Sequence, residues 1–209
     1  MVLIIGLIGL LCGWIITPIL KKVTQYQQLW ISYYPWIQSI TWIVIYNKFS
    51  YSFDLVKYIF FASFLLLLAI IDQCTKYIFM LPMIIAGVIA IIFALTSRTL
   101  IDSLAGGILG YILIFFIIKY SDEGMGEGDR DLVGICGLFL GFKSTYLMIC
   151  LSFIIGALTI LSLLLLKKRS LRDEIAFVPF IYVATILTLL FQEKLLILYQ
   201  EIIYYLTYF

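Results

Sequence analysis

The 209-residue chain contains no histidine, which removes Ser-His and Cys-His nucleophile pairs, imidazole general bases and every histidine-ligated metal site. Charge is scarce as well. Only 12% of the residues are Asp, Glu, Lys or Arg, against roughly a quarter in a soluble domain, while 64% are apolar. That composition excludes a water-soluble globule. Fourteen Lys and Arg stand against twelve Asp and Glu, a balance too thin and too even to hold a phosphate backbone by counterion release. Nucleic acid is therefore not an expected partner. The four cysteines, Cys12, Cys74, Cys136 and Cys150, stand singly with no CxxC pair, so they read as small buried apolar residues and not as a zinc or redox site. No metal and no cofactor is expected. Any chemistry must use carboxylates, lysines, thiols or hydroxyls.

What the chain has in abundance is long apolar runs. Residues 1–20 are apolar throughout and lack the basic n-region of a signal peptide, so they read as a retained membrane span. Further spans are expected near 28–46, 55–71, 78–96, 101–118, 145–166 and 175–191, the first lying at 2–20. Two pieces are ambiguous. Residues 132–142 (LVGICGLFLGF) fall short of the roughly 20 residues of a full span. Residues 195–209, which carry Gln200 and Glu201, read as an interfacial helix. Basic residues decide the crossing count: if 132–142 crosses, nine of them (Lys21, Lys22, Lys76, Lys119, Arg130, Lys167, Lys168, Arg169, Arg172) share the cytoplasmic side. Five (Lys48, Lys57, Arg98, Lys143, Lys194) then lie on the other. The reading is an all-α polytopic membrane helix bundle of about eight transmembrane helices, N-terminus outside, forming one integral membrane domain over residues 1–209. GxxxG spacing at Gly9 and Gly13, Gly106 and Gly110, and Gly137 and Gly141 marks places where backbones approach closely in lipid. With Gly134 added, the short segment 132–142 is the one expected to be buried within the bundle. The Trp and Tyr residues of 30–36 (WISYYPW) are expected at headgroup level.

Most carboxylates fall in loops or at helix ends; Asp54, Asp102, Asp173, Glu174 and Glu193 read as solvated. Asp72 differs, because it ends the apolar run FASFLLLLAIID, where a carboxylate at the hydrocarbon boundary is costly without a task. A second candidate lies in SDEGMGEGDRD (121–131), where Gly124, Gly126 and Gly128 alternate up to Asp129. Glycines at alternate positions let the backbone adopt φ > 0 or lie close against another strand, so a peptide is expected to dock there. The span count places Asp72 at the end of an inward helix and Asp129 at the start of an outward one, so both lie at the same cytoplasmic level although 57 residues apart. Two carboxylates that meet share a proton, one taking a proton from water and the other giving one to a carbonyl. That is the aspartic protease device. The alternative reading of the same two acids is a proton or ion relay in a small transporter.

At this point the sequence resembles the type IV prepilin peptidases, membrane aspartyl proteases with a GxGD motif. The motif reads GEGD at 126–129, preceded by Gly124 and Met125 and followed by a Gly-rich helix ending LFLGF. Asp72 in AIID matches the family's first catalytic aspartate, and AFVPF at 176–180 resembles a PFxPF-like segment opening the last helix. The resemblance runs from about residue 30 to 191. It implies that Asp72 and Asp129 activate water to cut the leader of a prepilin or pseudopilin-like protein at the cytoplasmic face of the bacterial plasma membrane. It implies also that the substrate's apolar N-terminal helix lies against the enzyme's spans in membrane lipid, with the glycine loop supporting the extended backbone. Three departures stand out. No cysteine-rich loop follows the first span, which puts N-methyltransferase activity in doubt. Asp131, with Arg130 before it, replaces the family's usual Lys, and Phe79 and Met80 replace the usual Pro followed by Asp or Asn. Glu127 reads as a solvated loop residue and Lys76 as a positive-inside anchor.

Two other classes compete with a peptidase. A transporter requires flux that depends on the two acids, yet no internal repeat or mid-membrane break is visible. A structural assembly factor tolerates loss of both carboxylates. Within the peptidase class, a presenilin-like enzyme shares GxGD but places its aspartates deeper; the helix-end positions of Asp72 and Asp129 favour the prepilin type.

Overall fold

A computed structural model describes residues 1–24, 29–120, 125–166 and 175–208. The regular structure among them is helical throughout: α1 (Val2–Thr24), α2 (Leu29–Phe49), α3 (Phe53–Thr75), α4 (Met80–Thr96), α5 (Leu100–Tyr120), α6 (Glu127–Leu140), α7 (Phe142–Leu165) and α8 (Val178–Tyr208). Each expected span finds its helix. The tail does not form a separate interfacial element, because Gln192, Glu193 and Lys194 are good helix formers and no Gly or Pro interrupts the run, so α8 continues through them. Five helices are long and apolar enough to cross a membrane: α1, α3, α5, α7 and the Val178–Leu195 part of α8. The other three fall short of that measure. α4 has 17 residues and α6 has 14, about 21 Å of helix, while α2 carries Gln38, Ser39 and Thr41 in its middle.

The exterior explains the composition. On α1 the side chains of Leu3, Leu7, Leu11, Trp14 and Ile15 point outward and are exposed, as are Leu81, Ile84, Ile85, Val88 and Ile92 on α4. So continuous an apolar surface is unfavourable in water and at home in lipid. Inside, α3 supplies Phe61, Phe64, Leu65 and Leu68 to the main core, which meet Leu132, Val133, Cys136 and Phe139 of α6, Met148 of α7 and Ile181 of α8. Phe61 and Phe139 stack with ring centroids 4.4 Å apart. α6 is thus walled in by protein, which is how so short a helix avoids presenting its ends to hydrocarbon. A second cluster of Leu20, Ile31, Tyr34, Leu66, Ile70 and Ile71 seats the α1–α2 hairpin on α3.

The aromatic cluster at 30–36 divides by direction: Tyr34 is fully buried against protein, whereas Tyr33 and Trp36 are exposed. Helical rotation of about 100° per residue sends neighbours in sequence to different faces. The cysteines also divide. Cys136 is buried, while Cys12, Cys74 and Cys150 are half-buried, and none of the four is in a disulfide.

Glycine sets how closely the helices approach. A methyl group on Gly13 would stand 2.5 Å from the Cα of Pro35, and one on Gly9 would press on the Trp42 ring, so the first GxxxG pair seats α1 on α2. The tighter seam joins α5 to α6. A methyl on Gly106 would lie 2.5 Å from the Gly137 carbonyl oxygen, one on Gly110 would lie 2.8 Å from that of Val133, and one on Gly137 would collide with the Gly106 carbonyl. Gly141 closes α6 with φ 79°, a backbone that L side chains rarely adopt. Directly beyond it the Phe142 N–H donates to Asp102 Oδ1 at 3.2 Å, so Asp102 is not merely solvated: it caps the start of α7 from α5. Near this end of the bundle Lys57 is buried, within reach of the charges of Asp54 and Asp102.

The seam makes a contrast that thermal unfolding in detergent will read. Gly106→Ala is expected to lose roughly 1–3 kcal/mol of stability through overpacking against backbone that cannot move aside. Gly87→Ala, whose new methyl would first meet Ile135 Cγ1 at 3.9 Å, is expected to be neutral or to gain up to about 1 kcal/mol from helix propensity. Equal losses at both positions would refute the seam.

Candidate active site

Asp72 lies buried in the last turn of α3. The helix ends three residues later, where Lys76 takes a left-handed conformation (φ 57°) and donates its N–H to the Asp72 carbonyl at 2.9 Å. A non-glycine residue there costs about 1 kcal/mol or more, and the chain turns away within four residues of the carboxylate. The side chain is held from the far end of the sequence. Val178, the first residue of α8, donates its N–H to Asp72 Oδ2 at 3.1 Å across 106 positions. The Phe177 amide is a second donor toward the same carboxylate, and exposed Lys76 places a positive charge nearby.

Asp129 belongs to the first turn of α6, and its motif is a helix start. Gly126 is the N-cap with φ −73° and ψ 146°, Glu127 and Gly128 follow, and Asp129 is the third helical residue. Asp129 donates its N–H to the Gly126 carbonyl at 3.1 Å, and the Gly126 amide donates to the Asp129 carboxylate. The second bond is the half of a capping box that the third helical residue supplies, while Gly126, with no side chain, accepts only through its main-chain carbonyl. Gly128 is needed for space, since a methyl there would meet Ile78 Cβ at 3.2 Å in the α3–α4 connection. Of the two roles open to these glycines, a positive φ is taken by neither Gly126 nor Gly128; among the described glycines only Gly141 has one. Gly124 lies outside the described residues. So do Lys167, Lys168, Arg169 and Arg172, on which the assignment of the cytoplasmic side leaned.

The two acids are brought together. α3 and α6 are in contact, and the charge of Asp72 acts on Asp129. Burial first, and that charge second, push the Asp129 carboxyl up to about 7, against the opposing hydrogen bond from Gly126. Arg130 and Asp131, whose combined effect on the pair is open in the sequence, settle with each other: Arg130 Nε lies 2.8 Å from Asp131 Oδ1 and its guanidinium sits 4.8 Å over the Tyr111 ring. Glu127 is exposed in the first turn of α6. No three Cys, Asp or Glu side chains converge as a metal-binding group among the described residues. What the arrangement offers is a buried acid held by amides, whose charge acts on a second carboxyl pushed up to about 7.

Sequence reasoning found both acids and missed the amides of Phe177 and Val178. A signal for them exists in Pro179: proline favours the first turn of a helix, and an N–H just before it has no partner within that helix.

Residues 59–161 match the profile of the type IV leader peptidase family. They run from within α3 to within α7 and contain both acids. A prepilin leader peptidase/N-methyltransferase of Pseudomonas aeruginosa is 31% identical over 139 residues, covering 63% of this chain and 48% of the relative. A protein of the same name from Bacillus subtilis is 27% identical over 158 residues, covering 73% and 62%, and one from Myxococcus xanthus is 28% identical over 149 residues, covering 66% and 44%. The chain thus spans about half the length of the first of these relatives. No solved structure matches it.

Two stability measurements test the site. The raised Asp129 value means that its contribution to stability is fully present below its unfolded value of 3.8 and is lost as pH rises through about 7. Asp129→Asn is expected to flatten the fall in melting temperature over that interval; an unchanged slope would contradict the burial of this carboxyl. Asp72→Asn keeps an oxygen for the Val178 amide and should melt close to the parent, whereas Asp72→Ala strands a buried N–H and should lose about 1–2 kcal/mol.

Proposed function

We propose, from the match of residues 59–161 to the type IV leader peptidase family together with the paired acids, that the chain is a membrane aspartic endopeptidase that cuts the leader from prepilin or pseudopilin-like proteins. Asp72 and Asp129 do the chemistry. Asp72, its carboxylate held by amide donors, takes a proton from water; the oxygen so activated attacks the scissile carbonyl while Asp129, protonated near neutral pH, gives its proton to the carbonyl oxygen. Collapse of the tetrahedral species returns a proton to the leaving amine and frees the leader. The cut lies at the cytoplasmic face of the bacterial plasma membrane, where the positive-inside residues place the Asp72 end of α3. The apolar N-terminal helix of the substrate lies against the lipid-facing helices, and its extended residues cross the glycines at 124, 126 and 128.

The observation that carries this reading is the action of Asp72 on Asp129, two carboxyl groups from separate helices that share one site. Like charges so placed do not both ionise easily, which is the condition for acid and base roles without histidine or metal. A proton-coupled transporter using the same acids predicts flux and no proteolysis.

The direct test is cleavage of a coexpressed prepilin or pseudopilin substrate, followed by the change in its size. Asp72→Asn and Asp129→Asn are each expected to leave the leader uncut, a loss of at least about a thousandfold, while both proteins accumulate in the membrane. Normal processing by either variant, or proton flux into vesicles that the same substitutions abolish, would set the proposal aside.

A further inference from the structure

We infer that the backbone amide of Val178 is a positioning group for Asp72, so that the start of α8 aims the carboxylate that the proposed reaction uses as its base. The inference rests on that functional reading and adds α8 to the reacting machinery, although α8 lies outside the segment that matches the leader peptidase family.

Three features of the fold lead to it. The Val178 N–H is the first donor of α8 and cannot be satisfied within its own helix, where the first donors to the Phe177 carbonyl are Phe180 at 2.9 Å and Ile181 at 3.3 Å. Pro179 has no N–H at all. Val178 is also fully buried, so water does not replace the missing partner, and Asp72 Oδ2 is the acceptor that the fold provides at 3.1 Å. The need is mutual. Asp72 lies in the last turn of α3, next to the half-buried Gln73 and close to the left-handed turn at Lys76, whose N–H is taken by the Asp72 main-chain carbonyl and not by its side chain. A donor supplied by a buried amide fixes that oxygen without a flexible side chain, and the positive end of the α8 dipole faces the carboxylate. The Phe177 amide is a second donor toward the same carboxylate, so the entry to α8 limits how the Asp72 side chain can turn.

Position 178 allows the amide to be removed with little else disturbed. It is the first residue of the helix, where the fixed φ of proline fits and where its ring does not break an internal hydrogen bond. Val178→Pro therefore deletes the donor, while Val178→Ala keeps the donor and deletes most of the side chain. In the prepilin cleavage assay with membrane-embedded full-length protein, Val178→Pro is expected to lower kcat roughly tenfold to a hundredfold with KM nearly unchanged, and Val178→Ala to stay within about threefold of the parent. Equal losses in both variants would show that packing of the side chain, and not the amide, is what matters. An unchanged kcat in Val178→Pro would overturn the inference while leaving the peptidase reading intact. A readout independent of cleavage is the thermal stability cycle of Asp72→Ala, Val178→Pro and the double variant. With the hydrogen bond in place the two losses are strongly less than additive; strict additivity would overturn the inference even if no substrate is cut.

Discussion

The seam between α5 and α6 is the constraint on which the remainder depends. α6 is too short to cross a bilayer on its own, and its residues enter the interior only because Gly106, Gly107 and Gly110 offer it a bare face of main chain. With α6 drawn in, its first turn comes to rest beside the last turn of α3. The end of the bundle that carries the two acids is therefore set by packing several turns away: Gly137 lies eight residues beyond Asp129, about 12 Å along the helix. An acid inside a membrane protein is expensive, and the fold meets that expense by placing both acids at helix termini, where amides stand ready to donate.

The helix starts share one principle. In each case an amide left without a partner by the beginning of a helix is matched to a carboxylate: Phe142 to Asp102, Gly126 to Asp129, Val178 to Asp72. Two of the three matches cross between helices, and those two lie at opposite ends of the bundle, one against Gly141 and the other against Asp72. Fixing both ends limits sliding of α7 and α8 past α5 and α3. The GxGD pattern gains a local explanation from the same principle. Its first glycine is the cap, its second yields space to Ile78, and its aspartate side chain accepts from the amide of the cap. The carboxyl group assigned to the proposed chemistry is also the one that starts the helix.

Apolar runs made the helices legible: every expected span has a counterpart, because hydrophobic length is a property of consecutive residues and survives any tertiary arrangement. The pair of acids was legible for a similar reason, since span parity alone puts Asp72 and Asp129 at one end. The role of Gly137 and Gly141 was readable from spacing. What escaped was whatever depends on contacts between distant segments. Asp102 looks like any polar residue at a helix start, and only the arrival of Phe142 from 40 positions away gives it work. Tyr34 belongs to an aromatic cluster whose members share composition but not direction. The mutual pairing of Arg130 with Asp131 was equally hidden, because adjacent opposite charges in a sequence do not reveal whether they face each other or the neighbouring acid.

The α5–α6 seam carries a consequence for how such a protein changes over generations. Where two helices touch through main-chain atoms, there are no side chains to exchange, so a bulky replacement on one helix finds no compensating reduction on the other. Inheritance at Gly106 and Gly137 must therefore be all or nothing. Contact maps inferred from correlated replacement would pass over this approach wherever neither position accepts a side chain, since a position that does not vary has nothing to vary with.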